Sequence, residues 1–415
     1  MTVHVVGAGL AGLNAAVTLA HAGAAVEVSE AAAQAGGRCR SYFDPQLGLT
    51  IDNGNHLVLS GNTAVYAYLD AIGANGRLAG PERAEIAWAD VRTGQRWTVR
   101  PNNGPIPWWV ASPRRRVPGT KAADYLGLLP LTRPQPGKRI DQVMRCEGAL
   151  WDRLLDPFLL AVLNTDPREG AADLAAAVVR ETLAKGGQAC RPRIAHPTLA
   201  ATFVEPAIDT LARAGVPLRL GRRLKRITLD EGRARVLHFA DGETPLGPHD
   251  RLVLAVPPWV AAELLPGLVV PTEHRAIVNG HFRRAPPPGA EAMIGLIGGT
   301  AEWVFAFPDR LSVTVSGADR LTDEPRESLA AKLWADVAAA HHLSQALPPW
   351  QVVKEKRATF AATPEQEKLR PKALTAWENV ILAGDWTATG LPATIEGALR
   401  SGSHAAALAL ALSSV

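Results

Sequence analysis

Three glycines, Gly7, Gly9 and Gly12, stand in G-x-G-x-x-G spacing directly after the apolar, β-branched run Val3 to Val6. A helical pattern of Leu10, Leu13, Val17 and Leu19 among alanines follows and closes near Gly23. A second strand-like run, Ala25 to Ser29, then ends at Glu30. This order predicts a strand–turn–helix–strand unit in which each glycine meets a separate steric demand. Gly7 makes the tight turn, Gly9 lets a diphosphate approach the backbone, and Gly12 lets helix and strand pack closely. Ala8, Leu10 and Ala11 lie at the helix start, where unpaired N–H groups and a partial positive charge favour an anion. Glu30, with Ala31 beside it, follows the third glycine by about twenty residues, the place of an acid that accepts hydrogen bonds from adenosine ribose hydroxyls. The stretch predicts a dinucleotide site.

Gly36, Gly37 and Arg38 extend the pattern to G-x-G-x-x-G, then Glu, then G-G-R. That combination resembles the flavin amine oxidase and phytoene desaturase superfamily, and the resemblance implies FAD rather than NAD.

The totals bound the alternatives. A chain of 415 residues exceeds one ordinary domain and predicts two. With 47% hydrophobic and 20% charged residues it is a globular composition. A net charge of +4, with only Arg114, Arg115 and Arg116 forming a basic run, gives no case for nucleic acid. Cys39, Cys146 and Cys190 are far apart and odd in number, so they read as reduced thiols of a cytoplasmic protein, with neither a disulfide framework nor a metal site. No apolar run reaches the roughly eighteen residues of a membrane span, and the amino terminus lacks the basic flank of a signal peptide.

Further along, LTIDNGNHLVL (Leu49 to Leu59) reads as a strand broken at Asp52 to His56, and Ile86 to Val99 as a hairpin turning at Thr93-Gly94. Pro101 to Pro136 is proline-rich and holds Trp108-Trp109 and the arginine triplet. Two readings are open there: a loop packing its tryptophans onto the core, or a membrane headgroup boundary where indoles and arginines meet anionic lipid. Ile140 to Lys185 is mostly helical, with a wide apolar surface from Leu150 to Val162 interrupted at Asn164-Thr165-Asp166-Pro167. Val216 to Pro257 returns to strands and ends in the buried run Arg251 to Val256, and Glu324 to Ala340 is helical.

A second anchor lies near the carboxyl terminus. Val380 to Ala383 is a buried strand leading to Gly384-Asp385, followed by a loop with Gly390 and Pro392 and a helix from about Thr394. Gly397 and Gly402 on that helix would let it lie close to a flat ring, and its first N–H groups would favour negative charge on a reduced flavin. The superfamily resemblance assigns Asp385 to the ribityl–diphosphate region, the Ile395 N–H to the flavin pyrimidine and Leu224 to the adenine side. It also has the strand ending at Ala255 close over the dinucleotide, and the turn containing Asn55 pass beside the flavin. No cysteine lies between Gly384 and Ser403, which predicts non-covalent FAD.

Two anchors at opposite ends predict an α/β fold with a discontinuous Rossmann-like FAD-binding domain (1–60, 195–260 and 370–415) and a mixed α+β substrate domain (61–194 and 261–369). The expected helical portion around 101–190 is the one that would face a membrane. The phrases LAGDWTATGLPATIEGALRSG, DNGNH, LNTDP, IVNGHF, WVF and KEKRATF together resemble the hydroxysqualene dehydroxylases, the squalene-associated FAD enzymes of bacterial hopanoid pathways. That resemblance implies reduction of an allylic triterpene alcohol to squalene. The protein must then supply an apolar channel, a donor to the leaving oxygen, and exclusion of water from an allylic cation.

His56 is the first candidate donor, against a reading in which it only hydrogen-bonds backbone or flavin. Thr394 and Glu396 are the alternatives, Glu396 also reading as a buttress of its own helix start. A phytoene-type desaturase would use the same fold oxidatively, and a prenyl-lipid carrier would use it without catalysis. An amine oxidase is discounted because Thr394 stands where an aromatic wall is expected. The expected partners are a long triterpenoid and, on the second reading of Pro101 to Pro136, a membrane surface. The electron donor to FAD stays open.

Overall fold

The computed structural model describes residues 1–412. Five parallel strands form one sheet in the order Leu218–Arg219, Ala25–Ser29, Thr2–Val6, Arg251–Leu254 and Val380–Leu382. The register places Val5 between Val28 and Val253, and Val253 beside Ile381. Strand period two then sorts the side chains by face. Val3, Val5, Val253 and Ile381 pack with the helices Leu10–His21 and Ile395–Ala411, whereas Val6, Leu252, Leu254, Val380 and Leu382 pack into a second cluster. Arg251–Leu254 and Val380–Leu382 are buried at every position, which is why they read as near-continuous apolar runs, whereas the more peripheral Ala25–Ser29 carries the half-buried Glu27 between two buried valines.

That second cluster takes in Leu224, Ile227, Leu237 and Phe239 of an antiparallel three-stranded sheet, Leu224–Asp230, Arg233–Phe239 and Gly242–Pro245. Asn379 ties this sheet to the parallel one, accepting the Ala234 N–H at 2.8 Å and donating to the Ala234 carbonyl at 2.9 Å. On the opposite face, the helix Thr63–Ala71 joins the core through Val65, Tyr68 and Leu69.

A seven-stranded mixed sheet makes the other half. Its order is Trp350–Phe360, His274–Phe282, Arg310–Val315, Trp303–Phe307, Met293–Ile297, Ile86–Asp90 and Arg96–Val99. The expected hairpin is present, Ile86–Asp90 pairing antiparallel with Arg96–Val99. The helix Arg326–His341 covers one face through Leu329, Leu333, Trp334 and Val337.

The region expected to be mostly helical over Ile140 to Lys185 is more broken than its apolar pattern suggests. It consists of a π-turn at Trp151–Leu155, the helices Asp156–Leu163 and Ala172–Glu181, and short 3-10 turns. Asn164 ends the first helix at φ +51°. Its side chain accepts the Gly317 N–H at 2.7 Å and donates to Thr359 Oγ1 at 2.9 Å. The LNTDP phrase is therefore a helix stop that fastens this region to the large sheet.

Within Pro101 to Pro136 the two tryptophans part company. Trp109 is buried edge-on against Tyr125, ring centres 5.3 Å apart, while Trp108 stays exposed beneath the Arg115 guanidinium at 4.7 Å. Of the two readings, core packing applies to Trp109, and Trp108 is left at the surface.

Candidate functional site

The carboxyl ends of the parallel strands bring the two anchors together. Gly7 follows Val6, Glu30 follows Ser29, Ala255 follows Leu254, and Gly384 follows the strand Val380–Leu382 by two residues. Open parallel sheets bind ligands at this edge because the strand-to-helix turns and helix starts collect there.

The three glycines do different work. Gly7 has φ +106°, and a Cβ on it would lie 2.3 Å from the Ala255 carbonyl oxygen. A Cβ on Gly12 would lie 1.9 Å from the Gly7 carbonyl oxygen. Both are demanded by the protein's own packing. Gly9 is not, since a Cβ there meets nothing within 4 Å. This open space adjoins the start of the helix Leu10–His21, where no side chain caps the first turn. A bare backbone, uncapped N–H donors and unfilled room fit a diphosphate.

Glu30 accepts the Ala8 N–H at 2.7 Å and the Ala32 N–H at 2.8 Å, so it orders the glycine loop. A carboxylate has about four lone-pair sites, which leaves capacity for ribose hydroxyls. Ala31 is exposed next to it. Gly36 donates to the Ala8 carbonyl at 2.8 Å and bridges to Gly9, folding the G-G-R segment onto the glycine loop.

Arg38 then joins the two ends of the chain. Its guanidinium Nη2 donates to Asp385 Oδ2 at 2.7 Å, and Nη1 donates to the Ala358 carbonyl. Asp385 is buried, whereas Arg38 is 43% exposed on its side chain. Gly384 has φ +151°, and a Cβ on it would lie 2.4 Å from Trp386 Nε1. That indole donates to the Val256 carbonyl at 2.9 Å, and Ser401 Oγ accepts the Gly384 N–H at 2.9 Å.

Arg370 is a site-supporting residue that the sequence reading missed. Its buried guanidinium stacks on Phe360 at 4.8 Å and donates to the Asp385 and Thr387 carbonyls and to Thr389 Oγ1. A lone arginine before a proline carries no spacing signal, so only the fold reveals the brace.

The carboxyl-terminal helix begins at Ile395, with Thr394 as N-cap accepting the Gly397 N–H at 3.1 Å. The Thr394 hydroxyl also contacts the Pro392 carbonyl at 3.3 Å, so it is engaged on both sides. Glu396 stands in the first turn of its own helix but serves a second one as well. Its buried carboxylate accepts the Ala64 and Val65 N–H groups at 3.1 and 3.0 Å, capping the helix Thr63–Ala71, and takes the Arg400 Nε at 2.8 Å. Neither group is free to act as a donor to a leaving oxygen.

Gly402 also departs from its expected role. A Cβ there would lie 2.3 Å from the Ala11 carbonyl, so its smallness serves helix–helix packing rather than a flat ring. Asn14 fastens the same contact, donating to the Leu399 carbonyl at 2.6 Å.

The turn from Asp52 to His56 faces the large sheet. The Asn55 side chain donates to the Val313 carbonyl at 3.2 Å and Thr314 Oγ1 at 3.1 Å, and its N–H donates to Asn279 Oδ1 at 3.3 Å. Asn55 and Asn279 thus pin the turn to the sheet. His56 makes no hydrogen bond to the described residues and lies in the field of Arg38 and Asp385. Burial, helped by Arg38 and opposed by Asp385, pushes its imidazole down to about 4, so the ring is neutral at pH 7. Leu224 is buried at the start of its strand, paired with Phe239, and Arg222 just before it stacks on Phe239 at 3.8 Å.

The sequence matches the family of flavin containing amine oxidoreductases over residues 10–410. It is 56% identical over 411 residues to the hydroxysqualene dehydroxylase of Rhodopseudomonas palustris, covering 99% of this chain and 98% of that one. It is 53% identical over 408 residues to the hydroxysqualene dehydroxylase of Sinorhizobium fredii, covering 98% of each. Among solved structures, cyclohexylamine oxidase from Brevibacterium oxydans superposes with a TM-score of 0.74 at 16% identity, covering 99% of both chains, which shows a shared fold. The glycine loop, the Arg38–Asp385 junction and these full-length matches place the chain among the flavin-containing amine oxidoreductases, in the family of the hydroxysqualene dehydroxylases.

Proposed function

We propose that this chain binds FAD non-covalently and reduces hydroxysqualene to squalene and water. The observation that carries the reading is identity of 53–56% over nearly the whole length to relatives named for that activity. The geometry supports the cofactor half. The first turn of Leu10–His21 with Gly9 and Gly36 would hold the diphosphate, Glu30 the adenosine ribose, and the start of Ile395–Ala411 the flavin pyrimidine. Reduced flavin supplies a hydride. Burial pushes Cys39 and Cys190 up to about 12, so both remain protonated thiols, which suits non-covalent binding.

Overall balance requires one hydride, one proton and loss of one hydroxyl as water. Cleavage of the C–O bond leaves an allylic cation, so the protein must assist the departing oxygen and keep solvent away. We assign the first task to His56. Its neutral ring offers an N–H hydrogen bond to the leaving oxygen, with no hydrogen bond to the described residues competing for it, and the proton that completes the water comes from solvent once hydride has quenched the cation. Arg38 and Asp385 set the field around the ring, and Asn55 and Asn279 hold the turn that carries it. The half-buried side chains Phe158, Ala161 and Val162 on Asp156–Leu163 are the proposed apolar wall.

The test of the reaction is anaerobic incubation of dithionite-reduced enzyme with hydroxysqualene. Squalene is the expected product. A flavin-replete enzyme that makes none, or whose oxidised form desaturates the polyene instead, overturns the reading. For His56, the His56→Ala variant should retain flavin and lose about a hundredfold or more in turnover, the usual scale of one positioned donor. Near-normal squalene formation would remove His56 from the mechanism.

A further inference from the structure

We propose that the segment 101–138 is a docking surface for an anionic lipid bilayer. Among the described residues eleven large apolar side chains are exposed, and four of them, Ile106, Trp108, Leu126 and Leu129, fall in this short stretch. Their exposures are 75%, 60%, 64% and 58%, so they are presented to the outside rather than grazing the core. The backbone beneath them is held firmly. Trp109 packs on Tyr125, the Tyr125 hydroxyl accepts the Val117 N–H at 3.0 Å, and Asn102 accepts the Trp109 N–H at 3.2 Å. The exposed side chains therefore stand on a built platform, with Trp109, Val117, Tyr125 and Leu131 as its buried underside.

Charge identifies the occupant. Residues 101–138 contain six basic residues and one acid, Asp124, so the segment is more positive than the whole chain at +4. None of the six, Arg114, Arg115, Arg116, Lys121, Arg133 and Lys138, forms an ion pair among the described residues. Arg115 lies over the exposed Trp108 ring, putting a cation and an indole at one point of the surface. A protein partner or a second copy would account for the apolar residues but not for six cations around one acid, two of which, Arg115 and Arg116, are held by backbone carbonyls and none by a carboxylate among the described residues. A nucleic acid would account for the cations but not for exposed leucines and an isoleucine. An anionic bilayer takes both, the indole and aliphatic side chains at headgroup depth and the cations against lipid phosphates.

The surface also continues inward. The buried cluster under the platform includes Trp151, Leu155 and Leu159 and extends to Phe360 and Trp386 beside the candidate site. The inference rests on the proposed reaction in one respect, that a water-insoluble triterpenoid must come from a membrane. No described helix is long and apolar enough to cross a membrane, so contact would be peripheral.

The experiment is co-sedimentation of the flavin-loaded protein with vesicles of phosphatidylcholine alone and with about a third phosphatidylglycerol. Binding is expected to the anionic vesicles, with a loss of about tenfold or more on raising salt to about 0.5 M. Trp108→Ser with Leu126→Ser, and separately Arg114→Glu with Lys121→Glu, should each weaken partitioning about tenfold. Both should leave flavin content and turnover of detergent-dispersed substrate at wild-type levels, which shows that the variants fold. Absence of binding to anionic vesicles, or binding unaltered in both variants, overturns the proposal. So does a wild-type dimer on gel filtration that Trp108→Ser converts to monomer without altering vesicle binding. Vesicle binding without squalene formation would count against the proposed reaction alone, and squalene formation without vesicle binding against this inference alone.

Discussion

Gly9→Ala isolates the ligand's demand on the glycine loop from the protein's own. Gly9 has φ −73° and ψ 177°, a conformation alanine adopts freely, and its Cβ would meet no protein atom within 4 Å. Such a change narrows the unfolded ensemble and adds about 0.4–1 kcal/mol of stability. The new methyl group would occupy the approach of a diphosphate to the helix start. Losing one hydrogen bond to a charged group costs about 1.5–3 kcal/mol, which is about a ten- to hundredfold rise in Kd. Gly12→Ala is the contrasting variant. Its Cβ would sit 1.9 Å from a backbone oxygen, so helix and strand must separate by about an ångström, at the 1–3 kcal/mol or more of an overpacked core. The assay is flavin-to-protein ratio after gel filtration, together with Tm followed against added FAD. Gly9→Ala should be flavin-poor with its Tm deficit closed by excess FAD, and Gly12→Ala should stay below wild type in Tm at matched, saturating FAD. Wild-type FAD affinity in Gly9→Ala would refute the reasoning, because nothing would then require a glycine at that position.

Other perturbations separate bracing from binding. Arg38→Met leaves the buried Asp385 carboxylate without its partner, and because Arg38 is 43% exposed the cost should be about 1–2 kcal/mol rather than that of a fully buried pair, read by urea unfolding. Glu396→Gln should lower stability by about 1–2 kcal/mol by weakening the cap of Thr63–Ala71 and its bond to Arg400, with the flavin spectrum unchanged at saturating FAD. Burial pushes His281 down to about 3 and His56 to about 4, so both stay neutral in the fold while the unfolded chain protonates near 6.5. Stability is therefore full above about pH 6.5 and falls as the medium is acidified, by about 1.4 kcal/mol per pH unit for each histidine. His281→Asn should flatten the urea-derived slope between about pH 6 and 4.5 by one such increment, and an unchanged slope would show that His281 is not held neutral.

The parallel sheet was legible from the chain because its signals are local. Val3 to Val6, the three glycines and Glu30 lie within thirty residues, and the central strands buried on both faces show as mainly apolar runs such as Leu252 to Leu254 and Val380 to Leu382. The helix start at Thr394 was legible for the same reason, a capping hydroxyl placed three residues before the N–H it accepts. The helical stretch after Ile140 read as more continuous than it is, because apolar periodicity does not register a π-turn or the pull of Asn164 toward Gly317.

Sequence by itself determined which residue types reach the carboxyl edge of the sheet, and it predicted that the first and last forty residues belong to one site. What it could not contain was their meeting. Arg38 and Asp385 are 347 positions apart, and their 2.7 Å contact depends on strand order, which no spacing encodes. Tertiary structure alone gave Gly402 to the Ala11 carbonyl, Glu396 to a neighbouring helix, and Arg370 to the Asp385 loop. The physical reason is common to all three. A small side chain, a carboxylate or a guanidinium states what it can accept or donate, and only the packing of distant elements decides which partner arrives.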